Sequence, residues 1–346
     1  MQFNFNIMIY FDSDYMAGAH PQVMQALAES NLEATTGYGT DAYTARAAEK
    51  IRQACQAPQA RVHFLVGGTQ TNATVIDGLL ARHQGVLAAE SAHINVHESG
   101  AIEASGHKVL TLPQHEGKVW ASEVKAYIDH FYRDDSYEHM VAPGMLYISF
   151  PTEYGTVYSL QELSELSQVC HEAGIPLYVD GARLGYGLAA SDVSLPDMAR
   201  LCDVFYIGGT KVGALFGEAV VITNEKLLKH FFPLIKQHGA LLAKGRLLGL
   251  QFDSLFSEGL YEKIGREAVA KALRLKAAFT EKGYRSEVDS PTNQQFFRLP
   301  NTLIDRLKEE VSFEYWGPRG EEESVVRFVC SWNTLDADID HLISLL

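Results

Sequence analysis

The chain has 346 residues, of which 47% are hydrophobic and 21% charged, a balance that excludes a disordered chain, a collagen-like fibre and a coiled coil. Its 43 acidic residues against 29 basic ones leave a net charge of −14, and no Lys/Arg run supplies the basic face of a nucleic-acid binder. No stretch approaches the roughly 18 uncharged apolar residues of a membrane span.

The length suggests two domains, or one large one with an appendage. Residues 1–10 carry no Lys or Arg and run straight into Asp12 and Asp14, which makes a poor leader peptide. Cys55, Cys170, Cys202 and Cys330 form no CxxC pair. Reduced thiols fit them better than a zinc site or a disulfide framework. The expectation is a soluble cytoplasmic protein.

Short β-rich runs then alternate with helical periodicity. Strands are predicted at 61–66, 85–89, 108–112, 145–150, 176–180, 203–207 and 218–223. The clearest helix is 160–173, where Leu160, Leu163, Leu166, Val169 and Cys170 share a face. Ser159 with Glu162 is a capping-box start, Gly174 a natural stop, and Pro176 prevents continuation. Such alternation predicts an α/β fold, a mostly parallel sheet with helices on both faces. Helical periodicity dominates 225–282. Strands follow at 284–288, 294–299 and 325–330, with helices at 302–310 and 336–345. The predicted organisation is a large domain over residues 1–250 and a smaller C-terminal α/β domain over 251–346.

Ligands of open α/β sheets bind beyond the carboxyl ends of strands, so polar residues just after strand runs are the informative ones. Gly67-Gly68-Thr69-Gln70 follows the first of them and opens a helical stretch over 71–82. Free N–H groups at a helix start favour an anion, and Thr69 adds a hydroxyl. Taken alone, the same turn also serves as an ordinary strand–helix connection. Asp180-Gly181-Ala182-Arg183 ends the strand at 176–180. Asp180 either faces a protonated ring nitrogen or forms a structural ion pair with Arg183. Lys211, in Gly208-Gly209-Thr210-Lys211-Val212-Gly213, sits among glycines at a strand end. It is either an ordinary solvated lysine or one with a depressed pKa suited to a Schiff base. An anion cup, an aspartate for a pyridinium and a lysine for an imine are what a protein supplies to pyridoxal 5'-phosphate.

The order of these motifs is that of the aspartate-aminotransferase-like pyridoxal enzymes. Phe11-Asp12-Ser13-Asp14, Gly37-Tyr38-Gly39-Thr40-Asp41, Gly67-Gly68-Thr69-Gln70, Ala92-His93, Asp180-Gly181-Ala182-Arg183 and Thr210-Lys211 together resemble low-specificity L-threonine aldolases. The similarity runs from about residue 9 to about 255, and Val325-Val326-Arg327-Phe328-Val329 adds a C-terminal match. The resemblance implies fold type I and a homotetramer or homodimer with sites at subunit interfaces. The implied reaction cleaves Cα–Cβ of a β-hydroxy-α-amino acid to glycine and an aldehyde.

The resemblance also implies roles. Gly68, Thr69 and Gln70 hold the phosphate, His93 stacks on the ring, Asp180 binds its nitrogen, and Lys211, after Thr210, carries the cofactor. Ser13, Arg183 and Arg327 bind the substrate carboxylate, and Lys244 reaches a neighbouring subunit's phosphate. Two departures stand out. Tyr15 occupies a position where the family often has Thr, and Pro151-Thr152-Glu153-Tyr154 replaces an Asn-Thr-His-Asn stretch. Glu153 thus stands where a histidine is expected near the substrate hydroxyl, and a carboxylate can still accept that proton. β-Elimination, transamination and a non-catalytic phosphate- or nucleotide-binding module are the alternatives. His93 and His97 lack an evident third ligand, so no metal is expected.

Overall fold

The computed structural model describes residues 8–346. Most of the segment weighed as a leader, residues 1–7, lies outside the described residues. The predicted strands assemble into one seven-stranded sheet: β1 (Arg61–Leu65), β2 (Gln84–Ala89), β3 (Val109–Leu112), β4 (Ala142–Ser149), β5 (Leu177–Asp180), β6 (Val204–Gly208) and β7 (Glu218–Ile222). Their spatial order is β1-β7-β6-β5-β4-β2-β3. Every neighbouring pair is parallel except those made by β7, which runs antiparallel to β1 and β6. Strands β5, β6 and β7 are buried along their whole length, as continuous apolar runs covered on both faces require.

The helix predicted at 160–173 forms as α2 (Leu160–Ala173), with the reciprocal Ser159–Glu162 capping box and Gly174 left-handed at φ +69°. The helix after β1 starts earlier than its apolar periodicity suggests, as α1 (Gly68–Leu79) with Gly67 at its N-cap. The long helical stretch is three helices, Phe231–Gln237, Arg246–Leu255 and α3 (Leu260–Glu281). Gly239 at φ +71° and Gly259 at φ +69° take the left-handed turns between them.

Helix α3 joins two cores. Its Leu260, Ile264, Ala268 and Val269 pack with the large sheet. Its Ala272, Leu275 and Phe279 pack with a second cluster that holds Phe297, Phe313 and Phe328. Over that cluster lies a four-stranded antiparallel sheet, ordered Glu314–Tyr315, Glu323–Val329, Gln294–Pro300, Arg285–Val288. Phe11 belongs to this second cluster, and Ile9–Tyr10 pairs in parallel with Val311–Ser312, so residues 9–11 pack against the C-terminal part of the chain. Among the described residues no helix is long and apolar enough to cross a membrane.

Candidate active site

Parallel strands bring their carboxyl ends to one edge, and register places the side chains there. Ser149 at the end of β4 pairs with Asp180 at the end of β5. Gly208 at the end of β6 pairs with Glu218 at the start of β7, which also faces Leu65 at the end of β1. The turns leaving these ends enclose a cavity of about 300 Å³. Gly68, Thr69, His93, Glu153, Asp180, Arg183, Thr210 and Lys211 all line it. Gln70, Ser13, Arg327 and Lys244 do not.

The cup is the start of α1. Gly67 has extended backbone and α1 carries no side-chain cap, so its first-turn N–H groups are left for another acceptor. A Cβ at Gly67 would meet nothing within 4 Å, and at Gly68 one would come within 3.2 Å of the Tyr206 hydroxyl. Gln70 points away, its Nε2 donating to the His238 carbonyl at 3.1 Å.

Asp180 is 4% exposed. No cation holds it. Oδ2 accepts from Tyr147 Oη at 2.6 Å and Asn72 Nδ2 at 2.9 Å, and Oδ1 accepts from the Ala182 N–H at 3.0 Å and from Tyr206 Oη. The structural ion pair with Arg183 does not form. Arg183 turns instead to Asp14, with Nε–Oδ2 at 2.7 Å and Nη2–Oδ1 at 3.0 Å. Burial alone would raise Asp14, but Arg183 and Lys211 hold it below the usual carboxylate range.

Lys211 is half-buried at the cavity wall, with its ammonium 5.9 Å from the centre of the Tyr15 ring. Burial, then the neighbouring Arg183 guanidinium, push its amine down to about 8. The turn carrying it is braced by Glu218, which accepts from Thr210 Oγ1 at 2.8 Å and the Gly209 N–H at 3.0 Å. Thr210's hydroxyl is therefore committed to the turn, and burial raises Glu218 to about 8. An amine that is neutral above pH 8 attacks aldehydes faster there. Stopped-flow uptake of pyridoxal phosphate by the apoprotein is expected to accelerate about tenfold between about pH 7 and about pH 9. A flat profile over that interval would show that Lys211 is not the attacking amine.

Glu153 lies beyond Ser149, at the same sheet end as Asp180 and Lys211. Its Oε1 accepts from Ser149 Oγ at 2.6 Å and the His93 N–H at 2.9 Å. Burial raises its pKa, and the Asp180 charge adds to the effect. The His93 ring is held by Glu98, Nδ1 to Oε1 at 2.8 Å.

The arginines are already engaged. Beyond the Asp14 pair, Arg183 keeps Nη1 uncommitted to that partner. Arg327 bonds Gln294 at 3.1 Å and pairs with Glu314. Ser13 is buried with its hydroxyl unpartnered, and Lys244 is exposed on the loop before Arg246–Leu255.

Asn72, Glu98, Tyr147, Tyr206 and Glu218 did not emerge from the sequence. Tyr147 and Tyr206 left a signal, since each is a polar tip in an otherwise apolar strand and needs a partner when buried. Asn72 is one turn past Thr69 on α1. Glu98 and Glu218 left none that separates them from surface glutamates. Among the described residues no group of three His, Cys, Asp or Glu side chains could hold a metal ion.

The family model described as beta-eliminating lyase matches residues 11–297. A low specificity L-threonine aldolase of Pseudomonas aeruginosa is 30% identical over 330 residues, 94% of this chain and 93% of that one. A solved threonine aldolase of Leishmania major superposes with a TM-score of 0.94 at 40% identity, covering 97% of this chain and 98% of the other. An aspartate aminotransferase of Thermus thermophilus shares the fold alone, at TM-score 0.70 and 13% identity over 98% and 91% of the two chains.

Proposed function

Because this chain belongs to the beta-eliminating lyase family, we propose that the cavity at the sheet edge is its active site, with Lys211, Asp180, His93 and Glu153 as its working groups. The protein is a pyridoxal-phosphate-dependent lyase of fold type I that cleaves Cα–Cβ of a β-hydroxy-α-amino acid such as L-threonine, giving glycine and an aldehyde. The observation that carries the assignment of residues is convergence. An uncapped helix start, a buried aspartate without a cationic partner among the described residues and a half-buried lysine of lowered pKa all face one cavity. These residues fit the cofactor. Gly68 and Thr69 would hold its phosphate, Asp180 its ring nitrogen and Lys211 its aldehyde carbon.

When bound, pyridoxal 5'-phosphate supplies an electron sink for the pair left on Cα as the Cα–Cβ bond breaks. The chain does the rest. Asp180, fixed by its four donors, presents negative charge without reorganising. Arg183 is held rigid by Asp14 and offers Nη1 to the substrate carboxylate, one contact rather than a two-pronged clamp. That contact orients the bond to be broken. Arg327 pairs with Glu314 and meets the carbonyl of Asp12, the residue before Ser13, at 3.4 Å.

Glu153 takes the β-hydroxyl proton, directly or through water. Its raised pKa makes it a stronger base than an ordinary solvated carboxylate. Both of its hydrogen bonds fall on Oε1, so glutamine can keep them while losing basicity. Glu153→Gln is expected to lower kcat for L-threonine by about 10²-fold while leaving glycine binding nearly unchanged, since glycine has no β-hydroxyl. Unchanged kinetics with every β-hydroxy amino acid would remove Glu153 from the reaction.

The reaction itself is tested by incubating the holoprotein with L-threonine, L-allo-threonine, L-phenylserine and L-serine and identifying products. Glycine plus an aldehyde is expected, whereas keto acid plus ammonia would mean β-elimination and keto acid plus an aminated cofactor would mean transamination. A homo-oligomer belongs to the same reading. Exposed Tyr38 and Phe232 rim a cavity of about 240 Å³ beside the Lys244 loop, a surface suited to a second copy. A cytoplasmic setting is supported by Cys55, Cys170, Cys202 and Cys330, all buried and unpaired.

A further inference from the structure

We propose that Glu98 is a positioning residue that selects the tautomer of His93, placing the proton on Nδ1 and leaving Nε2 as the acceptor on the cavity side. The inference rests on the reading of the cavity as the active site, with His93 over the cofactor ring. Glu98 lines the cavity wall, and its side chain is wholly shielded from solvent. Its Oε1 takes the His93 Nδ1 contact at 2.8 Å and the Asn72 Nδ2 contact at 2.8 Å, while Oε2 is buried with no partner. Asn72 fixes the direction of donation. Its Oδ1 accepts from Tyr178 Oη at 2.8 Å, so its nitrogen faces the acids, with one N–H to Glu98 and the other to Asp180 at 2.9 Å. A carboxylate has no proton to give, so an Oε1 that accepts from Asn72 accepts from His93 as well, which puts the imidazole proton on Nδ1.

That arrangement runs against the habit of a neutral imidazole in water, and which nitrogen holds the proton is set by what the other one meets. The result is a continuous chain, His93–Glu98–Asn72–Asp180, whose two ends are the groups assigned to the face and the nitrogen of the ring. The chain ties together α1, β5 and the short helix His93–Val96, so the ring of His93 is oriented by the same buried unit that orients Asp180. A buried carboxylate with one oxygen empty is costly to keep unless it serves such a neighbour.

The experiment reads the tautomer in apoprotein labelled with ¹⁵N-histidine, at a pH where the ring is neutral, with His93→Phe identifying the signal. Wild type is expected to show the Nδ1–H form. Glu98→Ala is expected to revert to Nε2–H, and Glu98→Gln to retain Nδ1–H, because the amide oxygen still accepts. A wild-type Nε2–H signal overturns the proposal without any variant, and an unchanged tautomer in Glu98→Ala overturns it as well.

Turnover in the holoprotein supplies the second arm. Glu98→Ala is expected to lower kcat on the order of tenfold, the scale at which outer partners of functional imidazoles act. The same change in the His93→Phe background is expected to cost nothing further. Equal losses in both backgrounds mean that Glu98 acts otherwise than through His93, which overturns the proposal. A His93→Phe variant with full activity would overturn the role of His93 in the active site, while leaving the tautomer result to stand.

Discussion

Replacing Lys211 by alanine is expected to lower turnover at least about a thousandfold, because among the described residues no other amine lines the cavity to hold the cofactor covalently. The variant should also lose the yellow absorbance that borohydride reduction fixes to the wild-type chain. The fold should survive. Lys211 is a half-buried cation whose amine is pushed from its ordinary 10.5 to about 8, so its charged form opposes folding. Between those two values the unfolded chain binds the extra proton, and the apoprotein therefore gains stability as pH rises across that window. The alanine variant lacks that rise. Thermal melts of both apoproteins at about pH 7 and about pH 10 check the sign, with the variant no less stable at the lower pH. Recovery of a reduced, labelled peptide containing a different lysine would move the covalent role elsewhere.

Asp180→Asn tests the electronic role of the second group. The expected loss in kcat is about 10²-fold or more, the scale for removing one preorganised electrostatic contact. The structural side of the change is separable. Asparagine puts an amide nitrogen where either Tyr147 and Asn72 or Tyr206 and Ala182 now donate, leaving at least one buried donor facing another. The expected cost is about 1–3 kcal/mol, readable as a lowered Tm. Near-normal turnover with a lowered Tm would reduce Asp180 to an anchor for the tyrosines. A salt bridge to Arg183 is no longer an explanation for such a result, since Arg183 belongs to Asp14.

The strand ends were legible because local chemistry marks them. A run such as Val62–Leu65 followed by Gly67-Gly68-Thr69 has few ways to continue, and α1 starts on those glycines. The capping box at Ser159 and the stop at Gly174 were legible for the same reason, since each motif is complete within a few residues. The helical stretch over 225–282 was less so. Its left-handed turns at Gly239 and Gly259 look in sequence like tolerated helix glycines until the packing on either side is known.

Side-chain partners at the site were where sequence reasoning went astray. Arg183 stands three residues from Asp180, yet it pairs with Asp14, 169 positions away. Asp180 draws an N–H from Asn72, 108 positions away, and a hydroxyl from Tyr147 on the adjacent strand. Gln70 sits next to Thr69 and faces the other side of α1, toward His238.

The sequence by itself determined the α/β alternation and carried, in the Gly67-Gly68-Thr69 turn and the Asp180 and Lys211 motifs, the resemblance to the family and its cofactor. These rest on apolar periodicity, glycine turns and residue chemistry that each act within about ten positions. Only the tertiary structure decided that Asp14 takes Arg183, that Glu218 braces the Lys211 turn and that Glu98 holds His93. A buried charge bonds to whichever group the strand order and the crossovers bring to it, and that juxtaposition arises only when the sheet assembles and the C-terminal unit docks on α3.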